Sequence, residues 1–245
     1  MKILKILLYL IIITNFILLG YLFLDVEITG KTIDVTEIAN VTKVVDGDTI
    51  ETDLGKVRLL GINTPERSCA GYEEAKNFLL LFEGKQVSMV RTVEDTDRYG
   101  RLLRYIFYGD LFVNEEILGR GLAHVYIYDE DEFSVELREA EEKARGGGVG
   151  IWEKSDDRCT DCIKLVELNE IDPGEYIIFE NRCDFYCDLS GWTIKDDSTK
   201  MWVLDWGVGG GVRKQIDYEG RIWNDAGDSL YLRDTEGKLV LFYRY

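Results

Sequence analysis

Strand-length apolar runs cut by Gly, Asp and Asn turns recur from residue 38 to residue 243, whereas helical periodicity is confined to three stretches before residue 146. That asymmetry constrains the chain to a β-structure with helices packed only on its first half. Residues 38–46 and 49–52 predict two strands joined by a tight Asp46-Gly47-Asp48 turn. Residues 57–62, 86–92 and 102–108 predict three more. Helices are predicted over residues 72–82, where Ala75, Phe78, Leu79 and Phe82 share a side, over 114–121, and over 133–145, where Gly146-Gly147-Gly148 ends the helix. Five strands and three helices in this order suit a small barrel with helices packed on it, an α+β fold.

After Trp152 the texture changes. Residues 154–161 are polar and read as a linker. Residues 163–168, 175–179, 192–195, 202–204, 229–233 and 239–243 read as short strands, and no stretch reads as a helix. Such a pattern predicts a β-sandwich. The glycine-rich residues 207–211 lack a lysine–serine phosphate-loop signature and read as a loop. Trp192 and Trp223 read as core residues. A chain of 245 residues has room for both domains.

Residues 6–24 are uncharged and almost wholly apolar, and they follow Lys2 and Lys5. Their length is close to the roughly 20 residues of a bilayer-spanning helix. Lysines before the span favour a cytoplasmic N-terminus and an exported remainder. No small-residue cleavage pattern follows, so residues 1–25 are expected to be a retained transmembrane anchor, or uncleaved signal, and residues 26–35 a spacer. The chain is then expected to be a single-pass protein of the cell membrane with the domains after the span extracytoplasmic; cleavage of the span would make it secreted.

The net charge of −17 excludes a generic nucleic-acid coat, because an acidic surface repels phosphate backbones. Any contact with nucleic acid must be local, with arginines or a metal cancelling charge. One histidine, His124, excludes a polyhistidine metal site. Cys159 and Cys162 form one close pair and Cys183 and Cys187 another, while Cys69 stands alone. Four thiolates suit zinc; two disulfides suit an exported chain, and the spacing leaves three pairings open.

Chemistry concentrates between Asp46 and Arg101. The stretch holds Asp46-Gly47-Asp48-Thr49, Arg58, Asn63-Thr64-Pro65-Glu66 and Asp97-Arg98-Tyr99-Gly100-Arg101. Asp48, the Asn63 side-chain carbonyl and Thr64 offer oxygens to a hard cation such as calcium. Arg58 and Arg101 suit a phosphoryl group, to which each can donate paired hydrogen bonds. Glu66, on backbone stiffened by Pro65, is the candidate general base or water-orienting group. Together these are the parts of a metal-assisted phosphodiesterase.

In their order these motifs, with Val57-Arg58-Leu59-Leu60-Gly61-Ile62, Phe112-Val113-Asn114-Glu115, Gly121-Leu122-Ala123 and Gly150-Ile151-Trp152, make residues 36–153 resemble the staphylococcal nuclease (thermonuclease) family. The resemblance implies an OB-fold β-barrel with three helices. It also implies calcium-dependent hydrolysis of DNA and RNA to 3′-phosphate products. It sets Asp48, Asn63 and the Thr64 carbonyl on the metal ligands, and Arg58, Glu66 and Arg101 on the catalytic residues. Asp46 falls on a nearby carboxylate, and Tyr99 and Tyr126 near the nucleotide-binding face. Asn63 departs from the pattern, since an aspartate is usual there, and a weaker or altered metal preference is expected.

Residues 162–245 are similar to the lamin-tail domain family through Leu189-Ser190-Gly191-Trp192 and Trp223-Asn224-Asp225-Ala226-Gly227-Asp228. That similarity implies an immunoglobulin-like sandwich with a binding or positioning role and an open ligand. The expected protein is thus a membrane-anchored, monomeric nuclease with DNA and RNA as substrates. The alternative is a catalytically inactive nuclease fold that binds nucleic acid or serves as a cell-surface scaffold.

Overall fold

The computed structural model describes residues 37–67, 69–171, 174–197, 200–218, 223 and 227–245. All belong to one compact unit, Val35–Tyr245. The expected membrane span at residues 6–24 lies outside the described residues. Among the described residues no helix is long and apolar enough to cross a membrane.

The first half is a closed barrel. Its strands are β1 (Glu37–Val44), β2 (Thr49–Thr52), β3 (Gly55–Leu59), β4 (Gly61–Asn63), β5 (Gln86–Thr96), β6 (Leu102–Tyr108), β7 (Leu111–Phe112) and β8 (His124–Tyr126). The helices are α1 (Tyr72–Leu80), α2 (Val113–Gly119) and α3 (Ser134–Gly146). The main sheet runs β3-β2-β1-β5-β6-β7, and β3 also pairs with β6 in parallel, which joins its ends. Alternation along the strands sends Ala39, Val41, Val57, Leu59, Val87 and Met89 into the core, all almost fully buried. These five main strands and three helices are the barrel that the sequence predicts, in an OB-like arrangement.

Two predicted strands differ from those observed. The apolar run 57–62 is broken at Leu60 into β3 and β4. Gly61 has φ 72°, and a Cβ on it would lie 2.3 Å from Leu137 Cδ1 on α3. Glycine alone admits both the turn and the close helix. The buried Asn114 amide holds the break, donating to the Leu60 carbonyl and accepting from the Ile106 N–H. Released from the barrel, β4 pairs with β8, which sets Asn63 opposite His124. Strand β5 runs on to Thr96, beyond the predicted end at residue 92, because buried Arg104 draws Asp95 and Glu37 together at 2.7 and 2.6 Å.

The second half is two layers of antiparallel strands. They are β9 (Ile163–Asn169), β10 (Tyr176–Asn181), β11 (Cys187–Asp188), β12 (Thr193–Lys195), β13 (Met201–Val203), β14 (Gly207–Val208), β15 (Arg213–Asp217), β16 (Ser229–Arg233) and β17 (Leu239–Arg244). One sheet runs β15-β10-β9, the other β13-β12-β16-β17, with a small β11-β14 ladder beside them. Ile177 and Phe179 from one layer meet Ile194, Leu230 and Leu232 from the other in one core, together with Trp192 and Trp223. Residues 207–211 are not all loop, since Gly207–Val208 pairs with Cys187–Asp188. A Cβ on Gly207 would lie 2.4 Å from the Cys187 carbonyl oxygen, so only glycine allows that approach.

The cysteines do not form a zinc site. Cys159 is bonded to Cys187 and Cys162 to Cys183, which uses all four thiols. The two bridges fasten residues 159–162, at the entry to the sandwich, to its core. Cys69 is a free, partly buried thiol.

The sandwich is packed on the barrel. Ala144, Ile151 and Trp152 share a buried cluster with Tyr231, flanked by Leu239 and Phe242. The His124 ring lies 4.2 Å from that of Tyr231 and 5.1 Å from that of Trp152. Backbone hydrogen bonds join Ser155 N–H to the Leu239 carbonyl and Leu239 N–H to the Glu153 carbonyl, each at 2.8 Å.

The disulfides yield a stability prediction. Cys162 and Cys183 close a loop of sequence separation 21. Replacing both by serine is expected to cost about 3 kcal/mol through loop entropy released in the unfolded chain. Urea unfolding measures the loss, and an unchanged midpoint would contradict it.

Candidate active site

The site begins at the β1–β2 turn. A Cβ on Gly47 would lie 2.6 Å from Ala75 Cβ and 2.8 Å from Thr64 Oγ1, so glycine lets the turn press against α1 and the end of β4. Asp48 follows, and it is buried. A buried carboxylate must be hydrogen-bonded or paired. Asp48 Oδ2 accepts the Thr64 N–H at 3.1 Å and the Thr64 hydroxyl at 3.2 Å. Asp48 Oδ1 accepts the Thr49 hydroxyl at 3.0 Å.

Arg58 stands beside Thr49 in the β2–β3 register, which brings its guanidinium to the same carboxylate. Its Nη2 is 3.1 Å from Asp48 Oδ2 and donates to Asn63 Oδ1 at 3.2 Å, while Nη1 donates to the Leu59 carbonyl. The Asn63 Nδ2 donates in turn to the Asp197 carbonyl of the sandwich at 3.2 Å. An amide donor is needed for that bond; an aspartate would set a carboxylate against a carbonyl. Asp46 accepts the Asp48 N–H at 3.3 Å. Burial, then the neighbouring Asp48 carboxylate, push the Asp46 carboxyl above its usual range.

Arg101 enters from the β5–β6 turn. Asp97 organises that turn: its Oδ1 accepts the N–H groups of Tyr99 and Arg101, each at 2.9 Å, and its Oδ2 accepts Arg101 Nε at 2.6 Å. Partial desolvation works against ionisation here, but the hydrogen bonds from Arg101 and Tyr99 prevail and hold Asp97 below the usual carboxylate range. Arg101 Nη1 reaches Thr49 Oγ1 at 3.5 Å. Thr49 therefore stands between the second arginine and Asp48.

Asp46, Asp48, Arg58, Asn63 and Thr64 come together, with Arg101 joined to them through Thr49. The other three residues singled out in the sequence lie on the surface. Glu66 is exposed, and among the described residues its carboxylate has no hydrogen-bond or ion-pair partner. Tyr99 is 69% exposed, with the Arg98 guanidinium 4.9 Å and the Arg101 guanidinium 5.5 Å from its ring. Tyr126 is exposed on β8, paired with Gly61. Thr49 and Asp97 have parts that sequence reasoning missed, although an aspartate two and four residues before polar backbone is a recognisable turn signal. Asp197 carries no such signal.

Among the described residues no three His, Cys, Asp or Glu side chains cluster as a metal site. The oxygens gathered at Asp48 are instead of mixed type: its carboxylate, the Asn63 amide oxygen joined to it through Arg58, and the Thr64 hydroxyl, with the Asp46 carboxylate two residues away. Such a set fits a hard cation that accepts irregular oxygen shells. A cation would also relieve the repulsion between the two aspartates.

A profile described as staphylococcal nuclease homologue matches residues 56–154. The chain is similar to a thermonuclease of Staphylococcus intermedius, 31% identical over 126 residues, which are 46% of this chain and 75% of that protein. It is also similar to the endonuclease YncB of Bacillus subtilis, 35% identical over 49% of this chain and 64% of the relative. A probable staphylococcal-like nuclease, CAN1, of Oryza sativa subsp. japonica is 37% identical over 41% of this chain, which spans only 29% of that protein's length. The chain belongs to the staphylococcal nuclease family.

The Asp97 turn gives a pH prediction. A depressed carboxylate contributes stability that is present above its unfolded pKa, about 3.9, and is lost as pH falls through the lower folded value. Hydrogen exchange should therefore show the Tyr99 and Arg101 amides protected down to pH about 4. Asp97→Ala should expose both at every pH; equal protection in the variant would refute the role given to Asp97.

Proposed function

We propose that this protein is a calcium-dependent nuclease that hydrolyses phosphodiester bonds of DNA and RNA and leaves 3′-phosphate ends. The observation that carries the reading is the buried Asp48 carboxylate with Arg58 directly on it and Arg101 linked to it through Thr49. Family membership and relatives named as nucleases support the same reading.

Asp48, the Asn63 amide oxygen and the Thr64 carbonyl would hold calcium, with Asp46 as the adjacent carboxylate. The chemistry a bound calcium supplies is charge neutralisation at a phosphate oxygen. Arg58 and Arg101 donate N–H groups to the other phosphoryl oxygens, where their charge is worth most as negative charge builds. The exposed Glu66 carboxylate orients and deprotonates the attacking water. The exposed rings of Tyr99 and Tyr126 offer stacking faces to bases or sugars. The retention of Arg58, Glu66 and Arg101 together favours catalysis over an inactive binding fold.

The proposal extends to organisation. Residues 36–153 are the nuclease unit, 154–161 a connector, and 162–245 a lamin-tail-type immunoglobulin-like domain that positions the enzyme. Residues 1–25 anchor it in the membrane, facing outward.

The test is cleavage of single-stranded DNA by the full chain in calcium and in chelator. Cleavage is expected only with calcium. Arg58→Ala and Arg101→Ala should each lower kcat/KM by about 100-fold to 1000-fold. A folded wild-type chain that cleaves neither DNA nor RNA in calcium would end the reading. Asn63→Asp should lower the half-saturating calcium concentration while it loses about 1 kcal/mol of stability with the Asp197 hydrogen bond. Equal calcium dependence in the two proteins would show that Asn63 does not set metal affinity.

A further inference from the structure

Next to the Asp48 cluster, between the segment that carries Glu66 and the sandwich, lies a cavity of about 290 Å³. Asn63 and Thr64 form one wall; Thr193, Lys195 and Arg233 form the opposite wall, with His124 also lining it. The cavity therefore shares two residues with the proposed cation site, and its cationic wall comes from the other layer of the molecule.

Two cations, Lys195 and Arg233, line it with two acids, Asp234 and Glu236, so its lining is balanced in a chain of net charge −17. Arg233 Nη1 donates to two neutral acceptors, the carbonyls of Ile151 at 2.6 Å and Gly237 at 3.1 Å. Among the described residues no carboxylate lies within ion-pair distance of it. Lys195 Nζ donates to the Asp196 carbonyl at 3.0 Å. Both acids have partners in their own turn, and Asp234 also acts electrostatically on Arg233 without an ion-pair contact. Asp234 Oδ1 accepts the N–H groups of Glu236 and Lys238, and Glu236 is 3.5 Å from the Lys238 ammonium. His124 Nδ1 is buried with no hydrogen-bond partner among the described residues. A partly buried arginine held only by carbonyls keeps its charge available to an anion.

We propose that this cavity is a substrate subsite that takes the phosphodiester next to the one being cleaved, together with its nucleotide. The inference rests on the nuclease reading above. The volume is at the lower end of ligand pockets, about 300 Å³, and so admits one nucleotide unit rather than a folded partner. Lys195 and Arg233 supply the charge, and the Thr193 hydroxyl a further donor. The sandwich on this account completes the nuclease groove, which an acidic barrel alone would leave repulsive to the continuing strand.

The experiment compares a single-stranded 12-mer with a dinucleotide, which has no second phosphodiester. Full-chain wild type, Lys195→Glu and Met201→Trp are assayed in calcium, with thermal melting to verify folding. Met201 lines the cavity, and tryptophan there would fill it. The ratio of kcat/KM for the 12-mer to that for the dinucleotide should fall about tenfold in both variants. The slope of log KM against log salt for the 12-mer should be shallower by about 0.7 in Lys195→Glu, the value for one phosphate contact on a single strand. An active wild type whose ratio and salt slope are unchanged in both folded variants overturns the subsite and leaves the nuclease reading standing. A wild type that cleaves neither substrate overturns the nuclease reading, and the subsite with it.

Discussion

One buried carboxylate ties the molecule together. Glu141 on α3 accepts the Val125 N–H at 2.7 Å and the Arg244 guanidinium at 2.7 and 3.1 Å. Helix α3, strand β8 and the sandwich thus meet on one side chain. Removing Arg244 would leave the Glu141 charge buried and uncompensated, a loss of about 3–5 kcal/mol at a fully buried pair and smaller here because Arg244 is partly exposed. Val125 lies on β8, the strand paired with β4, and β4 ends in Asn63. The same tie therefore holds the edge of the candidate active site.

A second path from the sandwich reaches that edge through Tyr231. Its hydroxyl donates to Asp197 Oδ1 at 2.9 Å, and the Asp197 carbonyl accepts the Asn63 amide. The Tyr231 ring packs against His124 and Trp152. Asparagine at position 63 is then no simple loss of charge. Its amide nitrogen faces the sandwich and its oxygen faces Arg58, so one side chain serves both the docking of the sandwich and the donor set around Asp48.

Much of this was legible in the sequence, and the exceptions have physical causes. Strands β1, β2 and β6 and all three helices follow from period and turn chemistry, within a few residues at their ends. The break at Leu60 was hidden because residues 57–62 are continuously suited to a strand, and the Asn114 amide that holds the break lies 54 residues from Leu60. Strand β15 was hidden because Arg213–Asp217 is a polar, exposed edge with no alternation to read. Asp48, Arg58, Asn63 and Thr64 were legible because short antiparallel register brings near neighbours together. Arg101 was legible as a motif, but its connection through Thr49 needed the closed barrel. Lys195, Asp197 and Arg233 were not legible at all. Asp197 is separated from Asn63 by 134 residues, and no local pattern marks a contact at that distance.

The cation site proposed at Asp48 and its neighbours is the feature on which phosphodiester cleavage would depend. Calorimetric titration of calcium into the full chain tests it most directly. One ion per chain is predicted for the wild type, and none for Asp48→Asn with an unchanged circular dichroism spectrum. Calcium binding of equal affinity in the folded variant would contradict the assignment.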